Sequence, residues 1–295
     1  MNIYEKTVKS ICDRRREDVD AATLKFEAAL SNDGKLNAAF VAYQNESVKS
    51  ARGEKNTLNS ARKAYHAELD RLGLPHEIDP PYRCEKCKDT GRVGGKYCSC
   101  VIKRVIAADK ENLALPLVGF EKAAKSAPSK TLEKAYVIAR EYVDEYPNNK
   151  KPFLLLIGTP GTGKTVLAAA TASALMKKGA ATVTVTAFGF VRRALDYHTQ
   201  FSIPDYIDRF TPMLDCDLLV IDDLGTESIL KNVTMEYLYT VVNERWLHGK
   251  NTIITTNLSP APLMTRYGES IASRLLDRNK ATALLLDTKN ARTQK

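Results

Sequence analysis

The octapeptide Gly158-Thr159-Pro160-Gly161-Thr162-Gly163-Lys164-Thr165 constrains this chain more than any other stretch. It fits the pattern G-x-x-x-x-G-K-[ST] and stands where that pattern has physical meaning, between an apolar run and a helical one. The run before it, FLLLI, reads as a strand buried on both faces. Residues 166–176 read as a helix that Gly179 stops. Glycines at this junction let the backbone curl until its N–H groups face a phosphate, and the helix N-terminus adds partial positive charge. All eight residues are therefore expected nucleotide contacts. Lys164 is expected to reach the β- and γ-phosphates of ATP, and the Thr165 hydroxyl to hold Mg²⁺.

Downstream the pattern alternates. Residues 181–186 and 218–221 read as strands, 190–197 and 234–246 as helices, and 251–256 as a further strand. Strand–helix alternation implies a parallel sheet flanked by helices. The strand LLVI ends in Asp222-Asp223, which predicts two carboxylates beside the phosphate loop, at the end of an adjacent strand. Asp222 is expected to be the outer partner of Mg²⁺ and Asp223 to polarise the attacking water. A third apolar strand ends in Asn257, expected to orient the water or sense the γ-phosphate. Taken singly, the acids would read as caps or surface charges and the asparagine as a turn residue. Together with the loop, they read as one nucleotide site.

The N-terminal part has a different period. Val19, Ala22, Phe26 and Ala29 recur at helical steps, as do Leu36, Phe40 and Tyr43, and Leu58, Ala61, Tyr65, Leu69 and Leu72. Residues 32–34 and Gly53 punctuate them. Periodicity alone does not choose between a plain helical bundle and a module that docks a partner. Beyond Gly73-Leu74-Pro75 and Asp79-Pro80-Pro81 come Cys84, Cys87, Cys98 and Cys100, spaced C-x₂-C-x₁₀-C-x-C. Four thiolates suit a closed tetrahedral Zn²⁺ site, with glycines returning the chain between the two pairs. The second pair is tighter than the common C-x₂-C, and upstream His76 is the alternative fourth ligand. Cys12 and Cys216 read as buried thiols. The expected organisation is a helical domain over residues 1–75, a zinc-binding module and linker helix over 76–112, and an ATPase domain over 113–295. A helix is also expected at 130–146.

Bulk properties narrow the class. The net charge of +9 is spread along the chain with no basic tail, which permits nucleic-acid binding without establishing it. No apolar run is long enough for a membrane span, and the N-terminus lacks a secretory apolar core, so a cytoplasmic location and no membrane partner are expected.

The phosphate loop, the acidic strand and the TIITTN strand, in this order, resemble the AAA+ superfamily. The double aspartate, the run VVNERW…NTIITTNLS and the segment RYGESIASRLLD are similar to the DnaC- and DnaI-type replicative helicase loaders and the related transposition ATPase IstB. The likeness covers about residues 115–295. It implies that Arg274 is an arginine finger reaching the γ-phosphate held by a neighbouring subunit, and that Arg292 is a second sensor arginine. It matches Asn243 and Arg245 to a family pattern, for which a purely structural role, such as pairing with the acids of the site, is one reading. It also implies that the cysteine window engages a helicase.

The leading expectation is an ATP-dependent loader of a DnaB-type hexameric replicative helicase. It would self-associate through its AAA+ domain and bind single-stranded DNA, with Phe188, Phe190, Arg192 and Arg193 as contacts unless the aromatics are core. An IstB-like regulator of a transposase is the alternative; it leaves the cysteine window unexplained. A small-molecule kinase would have no use for an arginine acting in trans.

Overall fold

The computed structural model describes residues 3–127, 129–202 and 206–286. The chain forms two compact units, residues 5–98 and, with the first four residues, 99–295. The first unit carries α1 (Ile3–Asn32), which begins just before it, α2 (Gly34–Ala51) and α3 (Leu58–Arg71), then a hairpin of β1 (Arg92–Val93) and β2 (Lys96–Tyr97). Asp33 separates α1 from α2 and caps α2, its carboxylate accepting the Leu36 N–H at 2.9 Å. Phe26, Leu36, Tyr65 and Leu69 form the buried core of these helices. Phe26 meets Phe40 edge-on at 5.4 Å, and Tyr43 stacks on Tyr65 at 5.3 Å.

The second unit begins with α4 (Ser99–Ala108), α5 (Phe120–Lys125) and α6 (Lys130–Glu145). It continues as β3 (Phe153–Ile157), α7 (Lys164–Lys177), β4 (Thr182–Thr186), α8 (Ala187–His198), α9 (Thr211–Asp215), β5 (Leu218–Leu224), α10 (Thr234–Leu247), β6 (Asn251–Thr256), α11 (Pro260–Leu275) and β7 (Ala281–Leu285). Five strands pair in the order β4-β5-β6-β3-β7, every pair parallel. Alternate residues of the strands divide between two cores. Phe153, Leu155, Ile157, Leu219, Ile221 and Ile254 join the cluster under α8, α10 and α11. Leu154, Leu156, Val220 and Ile253 join the one under α6 and α7. The sheet is thus covered on both faces, which is why its strands read as unbroken apolar runs.

Three features depart from expectation. The acidic strand is not adjacent to the phosphate-loop strand, because β6 pairs with both and lies between them. Run length in sequence carries no information about strand order; only pairing decides it. β5 also extends through both acids to Leu224, with a shift of register against β6 between Ile221 and Leu224. Finally, β7 closes the edge beside β3, a strand whose alternating burial gives it no continuous apolar signature.

Arg245 holds the middle of this unit together. It is fully buried. Its guanidinium donates to the carbonyls of Met213 (2.9 Å), Cys216 (3.0 Å) and Asn251 (2.5 Å) and to the Thr252 hydroxyl (2.9 Å). The residue is structural, but it serves backbone carbonyls and not the acids of the site. Arg245→Leu should strand those buried acceptors and lower stability by about 3 kcal/mol or more. The midpoint of denaturant unfolding measures the loss.

Candidate nucleotide site

The phosphate loop is the turn between β3 and α7. Its shape depends on small residues. A Cβ on Gly158 would lie 2.3 Å from the Leu286 carbonyl oxygen, so only glycine lets β3 leave the sheet beside β7. Gly163 sits at φ 90, and a Cβ there would meet Leu132 of α6 at 2.8 Å. Lys164 opens α7 and is buried. Its ammonium donates to the carbonyls of Gly158 (2.7 Å) and Thr159 (2.9 Å) and to Asn257 Oδ1 (2.7 Å). Thr162 closes the loop on itself, donating its hydroxyl to the Thr159 carbonyl at 2.9 Å.

The acids arrive from β5, across β6. The Thr165 hydroxyl lies 3.0 Å from Asp222 Oδ1, and Thr255 of β6 donates to the same oxygen at 2.7 Å. Lys164 and Asp222 are therefore linked through Thr165, the residue that follows Lys164 in α7. Burial pushes the Asp222 carboxyl above its usual range, and the neighbouring Asp223 charge adds to this, while the Thr255 and Thr165 hydroxyls oppose it. Asp223 has φ 57 and gives its N–H to Thr255 Oγ1 at 2.8 Å. The left-handed backbone turns its side chain to the same cavity as Lys164 and Asn257.

That cavity, about 620 Å³, is lined by Pro160, Gly161, Gly163, Lys164, Thr165, Asp223 and Asn257 on one side. Ala123, Ser126, Ala127, Leu132 and Tyr136 form the other wall. The second set, from α5, the residues just after it and α6, escaped sequence reasoning. The helical period of 130–146 signalled packing, and nothing local says that small residues near Ala123 face a ligand.

The remaining expected residues fall into three groups. Arg274, in α11, is half-buried; its Nε donates to Asn243 Oδ1 at 2.9 Å and its Nη2 to the Tyr239 hydroxyl at 3.3 Å. It is not among the residues that line the cavity. Arg292 lies outside the described residues. Of the four expected DNA contacts, Phe190 and Arg193 are buried, and Arg193 donates to Asn112 Oδ1 (3.1 Å) and the Glu111 carbonyl (2.5 Å). The cause is the start of α8 at Ala187, capped by Thr186, whose Oγ1 accepts the Gly189 N–H at 3.0 Å. From that start the helical period sends Phe188 and Arg192 to solvent and Phe190, Val191 and Ala194 to the core.

The four window cysteines gather. Their sulfurs lie within 4.8 Å of one another, with Cys84 and Cys98 Sγ 3.8 Å apart. A tetrahedron of thiolates with metal–sulfur bonds of ~2.3 Å has edges of roughly this length. Asp89, itself buried, organises the first pair by accepting the N–H groups of Arg83 and Cys84, each at 2.9 Å. Cys98 donates its N–H to the Gly91 carbonyl at 2.9 Å, returning the second pair. His76 is not in the cluster; it bonds Asp70 at 2.8 Å.

A carboxyl whose folded-state pKa is raised lends stability that is present below its ordinary value of 3.8 and lost as pH rises through the raised value. In the absence of nucleotide, Asp222→Asn should therefore melt above wild type at neutral pH, and the difference should vanish as pH falls toward about 4. Thermal melts across that range check the sign.

Against known proteins, the chain matches the model of the IstB-like ATP binding protein family over residues 120–295. It is 29% identical over 236 residues to the phage-like element PBSX protein XkdC of Bacillus subtilis (strain 168), covering 71% of this chain and 87% of that one. It is 27% identical over 220 residues to the replicative helicase loader DnaI of the same organism, covering 67% and 68%. A crystal structure of the DnaC helicase loader aligns with 55% of this chain and 92% of its own at 29% identity and a TM-score of 0.46. With a phosphate loop at the end of β3, an acid pair across β6, and a family match over more than half its length, the chain belongs to the IstB-like ATP binding proteins, with an AAA+-type P-loop domain preceded by a helical region.

Proposed function

We propose that this chain is a Mg²⁺-dependent ATPase that loads a DnaB-type hexameric replicative helicase onto single-stranded DNA. One observation carries the enzymatic part. Lys164, Thr165, Asp222, Asp223 and Asn257, from β5, β6 and α7, converge on the end of the sheet, joined by the Thr165–Asp222 contact at 3.0 Å. The donor set suits magnesium, a hydroxyl beside a buried carboxylate. Thr165 and Asp222 would hold it, and its charge would offset that of the phosphates. The loop N–H groups and the Lys164 ammonium orient the β- and γ-phosphates, exchanging protein oxygens for phosphate oxygens. Asp223 accepts a proton from the attacking water, Asn257 orients that water, and the α5–α6 wall keeps bulk water from the base side. Arg274 acts on a neighbouring subunit's nucleotide, stabilising charge that spreads over the transferring oxygens. Arg292 is assigned the second sensor role.

The loader reading rests on relatedness to a replicative helicase loader along two thirds of the chain. A regulator of a transposase is the alternative; it leaves the cysteine cluster and the helical region without a task. The helical unit grips the helicase, and Cys84, Cys87, Cys98 and Cys100 hold one structural Zn²⁺. A closed four-sulfur site stabilises its module and offers no open position for catalysis. Phe188 and Arg192, exposed together on α8, contact single-stranded DNA.

Lys164→Ala should abolish ATP binding by equilibrium titration. Arg274→Ala should keep binding but lower hydrolysis in the assembled state by roughly a thousandfold. Unchanged turnover in Lys164→Ala removes the nucleotide reading, and a full-length chain that fails to retain the resident hexameric helicase in a pull-down removes the loader reading. Metal analysis should give about one zinc per chain, lost in a Cys84→Ser, Cys87→Ser double variant; a metal-free wild type ends the zinc assignment.

A further inference from the structure

The turn behind Asp223 contains a buried acid that the reaction outlined above does not use. Asp223 reverses the backbone at φ 57, and its carbonyl accepts both the N–H (3.3 Å) and the hydroxyl (2.8 Å) of Thr226. Gly225 follows at φ 113, and its N–H donates to Glu227 Oε2 at 2.8 Å. The Glu227 side chain is 1% exposed. Its other carboxylate oxygen accepts the hydroxyl of Tyr267 at 2.5 Å, with the Arg266 guanidinium 3.5 Å away. Arg266 also donates to the Glu227 backbone carbonyl. Tyr267 is buried and immediately precedes Gly268, whose φ 76 and ψ 167 break α11; Arg274 lies just beyond that break.

A buried carboxylate is a costly way to hold one N–H group, since a serine or threonine would do so without a charge to desolvate. What the carboxylate adds is a second branch. One oxygen fixes the turn that sets the direction of Asp223, and the other fixes the first half of the helix that carries Arg274. We propose that Glu227 is a positioning residue for ATP hydrolysis, tying the orientation of Asp223 to the setting of α11 so that nucleotide occupancy moves Arg274. The proposal rests on the nucleotide reading above.

The molecule carries its own reporter. Trp246 is its single tryptophan, and its ring lies 5.8 Å from the Arg274 guanidinium and 3.8 Å from the Lys280 ammonium. In the full-length wild type, a non-hydrolysable ATP analogue should change Trp246 fluorescence. Glu227→Gln should keep affinity for the analogue, lose most of that fluorescence change and lower kcat roughly tenfold or more, with KM little changed. A merely structural acid would instead lower melting temperature and affinity together. Should Glu227→Gln fail to fold, Tyr267→Phe keeps the carboxylate, its Gly225 bond and the Arg266 contacts and removes only the hydroxyl bond that Tyr267 makes from α11. It should show the same loss of kcat and of the fluorescence change at near wild-type melting temperature. Wild-type kcat and fluorescence response in the folded variants overturn the proposal alone; a wild type that binds no ATP overturns it together with the nucleotide reading.

Discussion

The bond between the Thr165 hydroxyl and the Asp222 carboxylate spans three strands of the sheet, and the site depends on it. It exists only if β3, β6 and β5 end at matching heights, which their parallel registers ensure: Ile157 faces Thr256, and Ile221 faces Ile254. Thr255 from the middle strand shares the same carboxylate oxygen, so the acid is held from two elements at once. Burial and the neighbouring Asp223 charge hold this carboxyl above its usual range, against the Thr255 and Thr165 hydroxyls and the Lys164 charge.

Rigidity comes from the surroundings of the loop. Gly158 runs against the Leu286 carbonyl and Gly163 against Leu132, so β7 on one side and α6 on the other clamp the turn that must face the phosphates. On the far side of the sheet, Arg245 gathers carbonyls from α9, the following turn and β6 at a single guanidinium. Five donors in a fixed plane suit that task, where a lysine would satisfy fewer acceptors.

Two devices extend outward from this frame. Asn243 and Tyr239 of α10 hold the Arg274 side chain, and the Glu227–Tyr267 contact holds the helix that bears it. The cysteine cluster is shaped by Asp89 and the short hairpin.

The chain's order of residues alone was enough for the phosphate loop, the elements on either side of it, the acid pair, Asn257 and the cysteine quartet. Each is a local pattern whose chemistry depends on spacing within a few residues. The strand order was not legible, since pairing is decided by packing between segments far apart in the chain; hence β6 between β3 and β5. The helix α8 starts three residues before the expected position; Arg193, an expected surface contact, is buried, and Phe190 takes the core position that its alternative reading gave it. The wall of α5 and α6, the carbonyl cage of Arg245 and the two-branched grip of Glu227 likewise belong to the tertiary structure. They bring together residues forty positions apart and more, and a contact of that range leaves no periodic trace in the sequence.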